Sequence, residues 1–156
     1  MIALTSDTGM RLGEAAGLLK EDIKLDDRIP NIDLKPHSWR TLKTKGSQRA
    51  PLPLNKETLW APKHLLETSN DSIFPSYHAI AFETGCKANS ASGGLNKRLH
   101  QFVPDNFVIP SFRHSLGNRL RAVKCPNDIV DATGGWKASG IGYGYGNGYT
   151  LVVLEK

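Results

Sequence analysis

Pro110-Ser111-Phe112-Arg113-His114-Ser115-Leu116-Gly117-Asn118-Arg119-Leu120-Arg121, followed by Gly134-Gly135-Trp136 and then by Tyr145, is the stretch on which the reading of this chain turns. Ser111 is a capping residue type, and Leu116 and Leu120 stand four apart, so a helix is expected over 111–123. Arg113 then opens that helix. Pro126-Asn127-Asp128 starts a second, short helix, which ends at the glycine pair Gly134-Gly135. Trp136 follows the pair, and Tyr145 lies nine residues beyond it.

Working outward, residues 1–20 predict helix, turn and helix. Ile2, Ala3 and Leu4 are apolar, Thr8-Gly9 breaks the run, and Leu12, Ala15, Ala16, Leu18 and Leu19 resume it at helical spacing. Three short strands are expected at 29–34, 39–43 and 48–53, separated by turns at Pro36-His37-Ser38 and Lys45-Gly46-Ser47. Pro51 and Pro53 imply an edge strand. A helix over 55–68 would be capped by Asn55 and disturbed in its middle by Pro62. Residues 69–93 are rich in Ser, Asn and Gly and read as loop, and 95–102 as helix. The Gly- and Tyr-rich tail, 140–148, reads as mobile. Leu151-Val152-Val153-Leu154 is apolar and needs a partner, either within the chain or on a neighbour.

The 156 residues make one domain by length, with room for a core. Twenty Lys and Arg against fifteen Asp and Glu give a net charge of +5, which suits solubility or a nucleic-acid partner. Cys86 and Cys125 have no metal-ligand spacing and form no disulfide framework, which fits a reducing cytoplasm. No apolar run reaches the roughly 20 residues of a membrane span, and no signal peptide opens the chain. Met1-Ile2-Ala3-Leu4 begins abruptly within a helical pattern, as a fragment of something longer would.

Arginine suits phosphate chemistry because its planar fork grips oxygens bidentately and keeps its charge. Arg11 follows Gly9 at a helix start, where backbone amides also favour anions. Taken singly, Arg11 reads equally as an exposed helix arginine, Arg113 as a member of a structural ion pair, and Trp136 as a core aromatic.

Taken together, these residues resemble the tyrosine recombinases, the phage integrase family. Gly9-Met10-Arg11-Leu12-Gly13-Glu14 is similar to the first family box, in which the Arg binds the scissile phosphate and the acidic residue supports it. The run from Lys45 to Leu54, eight positions from Lys45 to Pro53, resembles the lysine hairpin whose Lys protonates the leaving oxygen, with Lys43 as the competing choice. Ser111-Phe112-Arg113-His114 resembles the second box, which implies a second phosphate-binding arginine and a supporting His114. Trp136 falls where the family has a His or Trp donor. Tyr145 falls at the interval of the nucleophile, and Tyr145-Gly146-Asn147-Gly148-Tyr149 resembles a prophage integrase subgroup. Tyr143 and Tyr149 then read as packing or loop residues.

The resemblance, over about residues 1–154, implies an α+β fold: a mainly helical catalytic domain with a small three-stranded antiparallel sheet. It implies one catalytic domain over 1–156, lacking the N-terminal core-binding domain and with its C-terminal tail cut short. Arg11, Lys45, Arg113, Trp136 and Tyr145 would be catalytic, with Glu14 and His114 in support and Arg40, Lys43 and Arg49 on DNA. No metal or other cofactor is implied. The partners would be double-stranded DNA and three further copies in a tetramer, in a bacterial or phage-derived cytoplasmic protein. One position departs from the pattern: Pro110 stands where the family has His, and proline has no side-chain donor. That implies either a slowed enzyme or a decayed prophage remnant that binds DNA without cutting it. A type IB topoisomerase uses the same chemistry and is the third reading, although the short chain and its closing motif fit integrases better.

Overall fold

The computed structural model describes residues 1–37, 40, 51–78, 86–136 and 149–154. Among these residues the elements run α1 (Ile2–Thr8), α2 (Leu12–Ala16), a 3-10 turn (Lys20–Asp22), β1 (Ile23–Lys24), β2 (Asn31–Ile32), β3 (Leu52–Pro53), α3 (Trp60–Thr68), α4 (Ala88–Leu99), α5 (Ile109–Ala122), α6 (Asn127–Gly134) and α7 (Leu151–Leu154). The sheet has the order β1-β2-β3 and is antiparallel throughout. Ile23 faces Ile32, and Ile32 faces Leu52.

The expected helix-turn-helix at the start is present, and its turn explains the Gly9-Met10-Arg11 motif. Gly9 ends α1 in the left-handed conformation, φ 64°, with its N–H on the Thr5 carbonyl at 3.1 Å. A Cβ there would come within 2.7 Å of Leu116 Cδ2, so glycine is required both for the conformation and for the close approach of α5. The reversal buries Met10 and starts α2 at Arg11.

The core lies between α1, α2 and the sheet. Leu4, Met10, Ala15, Leu18, Ile23, Ile32, Leu34, Leu52, Leu54 and Ile73 form one buried cluster, flanked by Leu59, Leu65, Leu66 and Phe74 from α3 and its neighbours. Each fully buried Leu or Ile contributes about 1.5–3 kcal/mol relative to exposure. On the other side α1 packs against α5, and α5 also meets α4 and α6.

Among the described residues the sheet is three-stranded and antiparallel, as expected, and β1 is a strand not among those expected. β2 and β3 lie within the expected first and third strands, and among the described residues β3 is an outer strand, which suits its proline. The expected middle strand, 39–43, lies outside the described residues except for Arg40. β1 is a two-residue strand, too short to show alternation in sequence.

Other boundaries shift for physical reasons. Asn55 caps a turn and not a helix, accepting the Thr58 N–H on Oδ1 at 3.1 Å. α3 starts only at Trp60, which puts Pro62 in its first turn, where a missing N–H costs nothing. α4 begins at Ala88, inside the segment expected to be loop. Its weak propensity is overridden by packing on α2 and α5, which fully buries Ala91.

α5 starts at Ile109. Ser111 is therefore not the cap but the third helical residue, and its Oγ accepts the Val108 N–H at 3.1 Å. The orphan Ile109 N–H is taken by Asn96 Oδ1 of α4 at 2.9 Å. α6 and its glycine stop agree with expectation, with Gly135 left-handed at φ 59°. The apolar run 151–154 forms α7, which packs beside β3 of its own chain. The tail expected to be mobile, 140–148, lies outside the described residues. No helix among the described residues is long and apolar enough to cross a membrane.

Candidate active site

Three distant parts of the chain meet at one point: the Gly9–Arg11 turn, the first turns of α5, and the glycine pair that ends α6. Arg11 stands at the N-cap of α2, where Glu14 holds it twice. One Glu14 oxygen accepts the Arg11 backbone N–H at 2.7 Å and the other pairs with the guanidinium at 3.0 Å. This Glu14 arm of a capping box satisfies an orphan helix amide and orients the arginine at once. Glu14 is buried, whereas the Arg11 side chain keeps 28% of its surface exposed. Arg11 NH2 also reaches the Gly135 carbonyl at 3.5 Å.

Arg113 projects from α5 into the protein and is buried. Its guanidinium donates to the carbonyls of Gly9 and Gly134, tying α1, α5 and α6 together. The same group lies over the Trp136 ring, 4.9 Å from its centroid. Among the described residues the locus gathers two guanidinium groups and one carboxylate, a donor set suited to a phosphate.

Trp136 is seated by glycines on both helices beneath it. A Cβ on Gly134 would lie 2.0 Å from the indole, and one on Gly117 would lie 3.0 Å from it. The Trp136 backbone N–H donates to the Asp131 carbonyl at 2.9 Å, which fixes the turn. Gly134→Ala is therefore expected to expel the ring and lower stability by about 1–3 kcal/mol, the usual range for overpacking. Urea unfolding followed by far-UV circular dichroism measures this. An unchanged midpoint would show that the ring does not depend on Gly134.

The structure thus gathers Arg11, Glu14, Arg113 and Trp136. Pro110 belongs to the same place. It is the second residue of α5, not a residue before the helix, and it lines a small cavity of about 100 Å³ with Arg11, Arg113, Thr5, Met10, Leu12 and Ile109. Lys43, Lys45, Arg49 and Tyr145 lie outside the described residues.

Two of the expected residues lie away from this cluster. His114 is exposed and lines a groove with Leu99, Val103 and Phe107, so it is not brought to the arginine cluster. Adjacent helical positions point about 100° apart, and Arg113 takes the inward direction. Arg40 is 2% exposed and pairs with buried Asp22 at 2.7 Å. It also donates to the Gly17 carbonyl at 2.9 Å and from NH2 to the Lys35 carbonyl at 2.7 Å. Removing either partner of such a pair strands a buried charge.

Some functional contacts were invisible in sequence. The anchors of Arg113 are backbone carbonyls, which carry no residue signature. Tyr149 donates its hydroxyl to Asp128 on α6, which holds that carboxyl below the usual aspartate range. Burial raises the Cys86 thiol, and burial followed by the Asp128 charge raises that of Cys125, so neither is an activated nucleophile.

The fold is that of an integrase catalytic domain. Among solved structures, the Tn1549 transposon integrase (aa 82-397), determined in complex with circular intermediate DNA (CI5-DNA), matches with a TM-score of 0.62 at 16% identity. The match covers 99% of this chain and 56% of that one, so the chain spans about half the length of that integrase. The sequence profile of the Phage integrase family matches residues 1–146, and the chain belongs to that family. No curated protein matches it.

Proposed function

We propose that this chain is the catalytic domain of a site-specific DNA recombinase that cuts through a tyrosine. The observation that carries this reading is the convergence of Arg11 and Arg113 on the glycine turn that bears Trp136. Family membership and the DNA complex of the Tn1549 integrase support the same reading, as does the net charge of +5.

In this mechanism Arg11 and Arg113 neutralise the nonbridging oxygens of the scissile phosphate as negative charge grows there. The Trp136 indole, a donor only, adds one hydrogen bond. Tyr145 attacks phosphorus in line, the P–O5′ bond breaks, and Lys45 gives its proton to the departing 5′ oxygen. Arginines bound to the phosphate would favour the ionised form of an attacking phenol. The product is a 3′-phosphotyrosine that keeps the bond energy for rejoining to another strand. Tyr149 suits the nucleophile's role less well, because its hydroxyl faces the Asp128 carboxylate, beside which a phenolate is disfavoured. Exchange between two duplexes breaks four strands, so one tyrosine per protomer implies a tetramer in the full-length protein.

A second reading, DNA binding without cutting, rests on Pro110. The residue lines a cavity with both arginines, and its side chain offers no proton or hydrogen bond. A nicked suicide duplex, which traps the covalent intermediate, separates the two. The recombinase reading expects a protein–DNA adduct that survives denaturant. A retarded complex that denaturant dissociates completely would favour binding alone.

A further inference from the structure

Trp136 lies across α5, and that helix is shaped to receive it. Arg113, Gly117 and Arg121 stand four residues apart and form one stripe on successive turns. The indole occupies the middle of the stripe. A Cβ on Gly117 would lie 3.0 Å from Trp136 Cη2 and 3.5 Å from its Cζ3. Glycine is a poor choice in a helix interior, and here it leaves the space that the ring fills. From α6 a Cβ on Gly134 would meet Cε3 and Cζ3. The edge held between the two glycines is therefore the Cε3–Cζ3–Cη2 edge. The nitrogen Nε1 belongs to the opposite side of an indole, so it points away from this notch.

The two arginines flank the ring. The Arg113 guanidinium, one turn before Gly117, lies over it at 4.9 Å from the centroid. One turn after Gly117, the Arg121 side chain folds back along the helix. Its Nη1 would lie 3.2 Å from the same Gly117 Cβ that the ring approaches, so guanidinium and ring edge converge on one glycine. The arginines differ in what else holds them. Arg113 is buried and donates to the Gly9 and Gly134 carbonyls. Arg121 is exposed, and its guanidinium has no hydrogen bond or ion pair among the described residues. What it offers the site is its long stem and flat head, which cover apolar surface while the charge stays in water.

We propose that Arg121 is a positioning residue for Trp136: with Arg113 it brackets the indole over Gly117 and keeps Nε1 turned outward. The inference rests on the reading that the Trp136 indole donates to the scissile phosphate. Direct contact between Arg121 and the DNA backbone is the competing role. The two differ in their dependence on Trp136.

The first measurement is 15N relaxation of the assigned Trp136 indole N–H in the whole chain without DNA. Its order parameter is expected in the rigid range, about 0.85, and should fall toward about 0.6 in Arg121→Ala. The position is exposed, so the variant should keep its fold. An unchanged order parameter would overturn the proposal, as would equal loosening of the backbone throughout α5 and α6.

The second measurement is a double-mutant cycle on single-turnover adduct formation with a nicked suicide duplex. Arg121→Ala should slow the reaction about tenfold, since misplacement on the order of 1 Å costs up to about 10²-fold. In a Trp136→Phe chain the same change should slow it by about twofold or less, because the ring it positions is gone. Equal slowing in both backgrounds would overturn the proposal and assign Arg121 to DNA. No slowing in either would overturn it as well. Wild-type cleavage by Trp136→Phe, or no adduct from the wild type, would overturn the donor reading and the catalytic part of the proposal with it. The relaxation result then decides by itself whether Arg121 holds the ring.

Discussion

Arg11→Ala and Arg113→Ala are each expected to cut covalent adduct formation by about 10²–10³-fold or more, the range for deleting one preorganised donor to a developing oxyanion. Ground-state DNA affinity should fall by only about tenfold or less, because it is spread over many phosphate contacts. The two variants should differ in stability. Arg11 is partly exposed, and without it Glu14 still accepts the backbone N–H of residue 11, so Arg11→Ala should cost less stability than Arg113→Ala. Arg113 is buried between the carbonyls of Gly9 and Gly134 and the Trp136 ring, so Arg113→Ala should also destabilise the protein by about 1–3 kcal/mol through unsatisfied acceptors. Arg113→Lys separates the effects: it keeps the charge but loses the planar fork. Single-turnover cleavage and equilibrium binding of the same duplex, together with urea unfolding, measure all three. Parallel losses of binding and cleavage would mean that the arginines hold DNA without acting in the transition state.

Pro110→His is expected to raise the rate. The position is exposed in the first turn of α5 and shares a cavity with both arginines, so an imidazole there can reach the phosphate they would hold. The fold should tolerate the change. The backbone N–H that histidine restores is one of the four helix donors that lack an intrahelical partner in any case. The positive end of the helix favours the neutral ring, the form able to accept a proton. General acid–base groups contribute about 10²–10⁴-fold, and an increase of about 10²-fold in adduct formation is expected. Equal rates for the wild type and Pro110→His would mean that another group already fills the role.

Sequence patterning was informative where the signal was local. The Thr8-Gly9 break, the Arg11/Glu14 spacing and the Gly134-Gly135 stop each act through a few neighbouring residues, and each appears in the structure as expected. It was misleading where partners were remote. Arg40 lies in a run with Lys43 and Arg49 and reads as part of a DNA-facing strip, yet its partner is Asp22, far back in the chain and fully buried. Nothing in residue spacing distinguishes a buried guanidinium from an exposed one. The start of α4 was missed because Ala88 to Gly94 has loop-like composition, and only packing against α2 and α5 makes it helical. His114 follows Arg113 in the motif, and helical geometry turns it outward. Of the candidate site, the arginines, Glu14 and Trp136 were legible as residues, but the carbonyls that orient Arg113 were not.

Whether this chain cuts DNA through Tyr145 is read most directly by peptide mapping of the adduct trapped on a nicked suicide duplex. The DNA is expected on the peptide containing Tyr145, attached through a 3′ phosphate, with no adduct from Tyr145→Phe. An adduct on Tyr143 or Tyr149, or one that persists in Tyr145→Phe, would contradict that assignment.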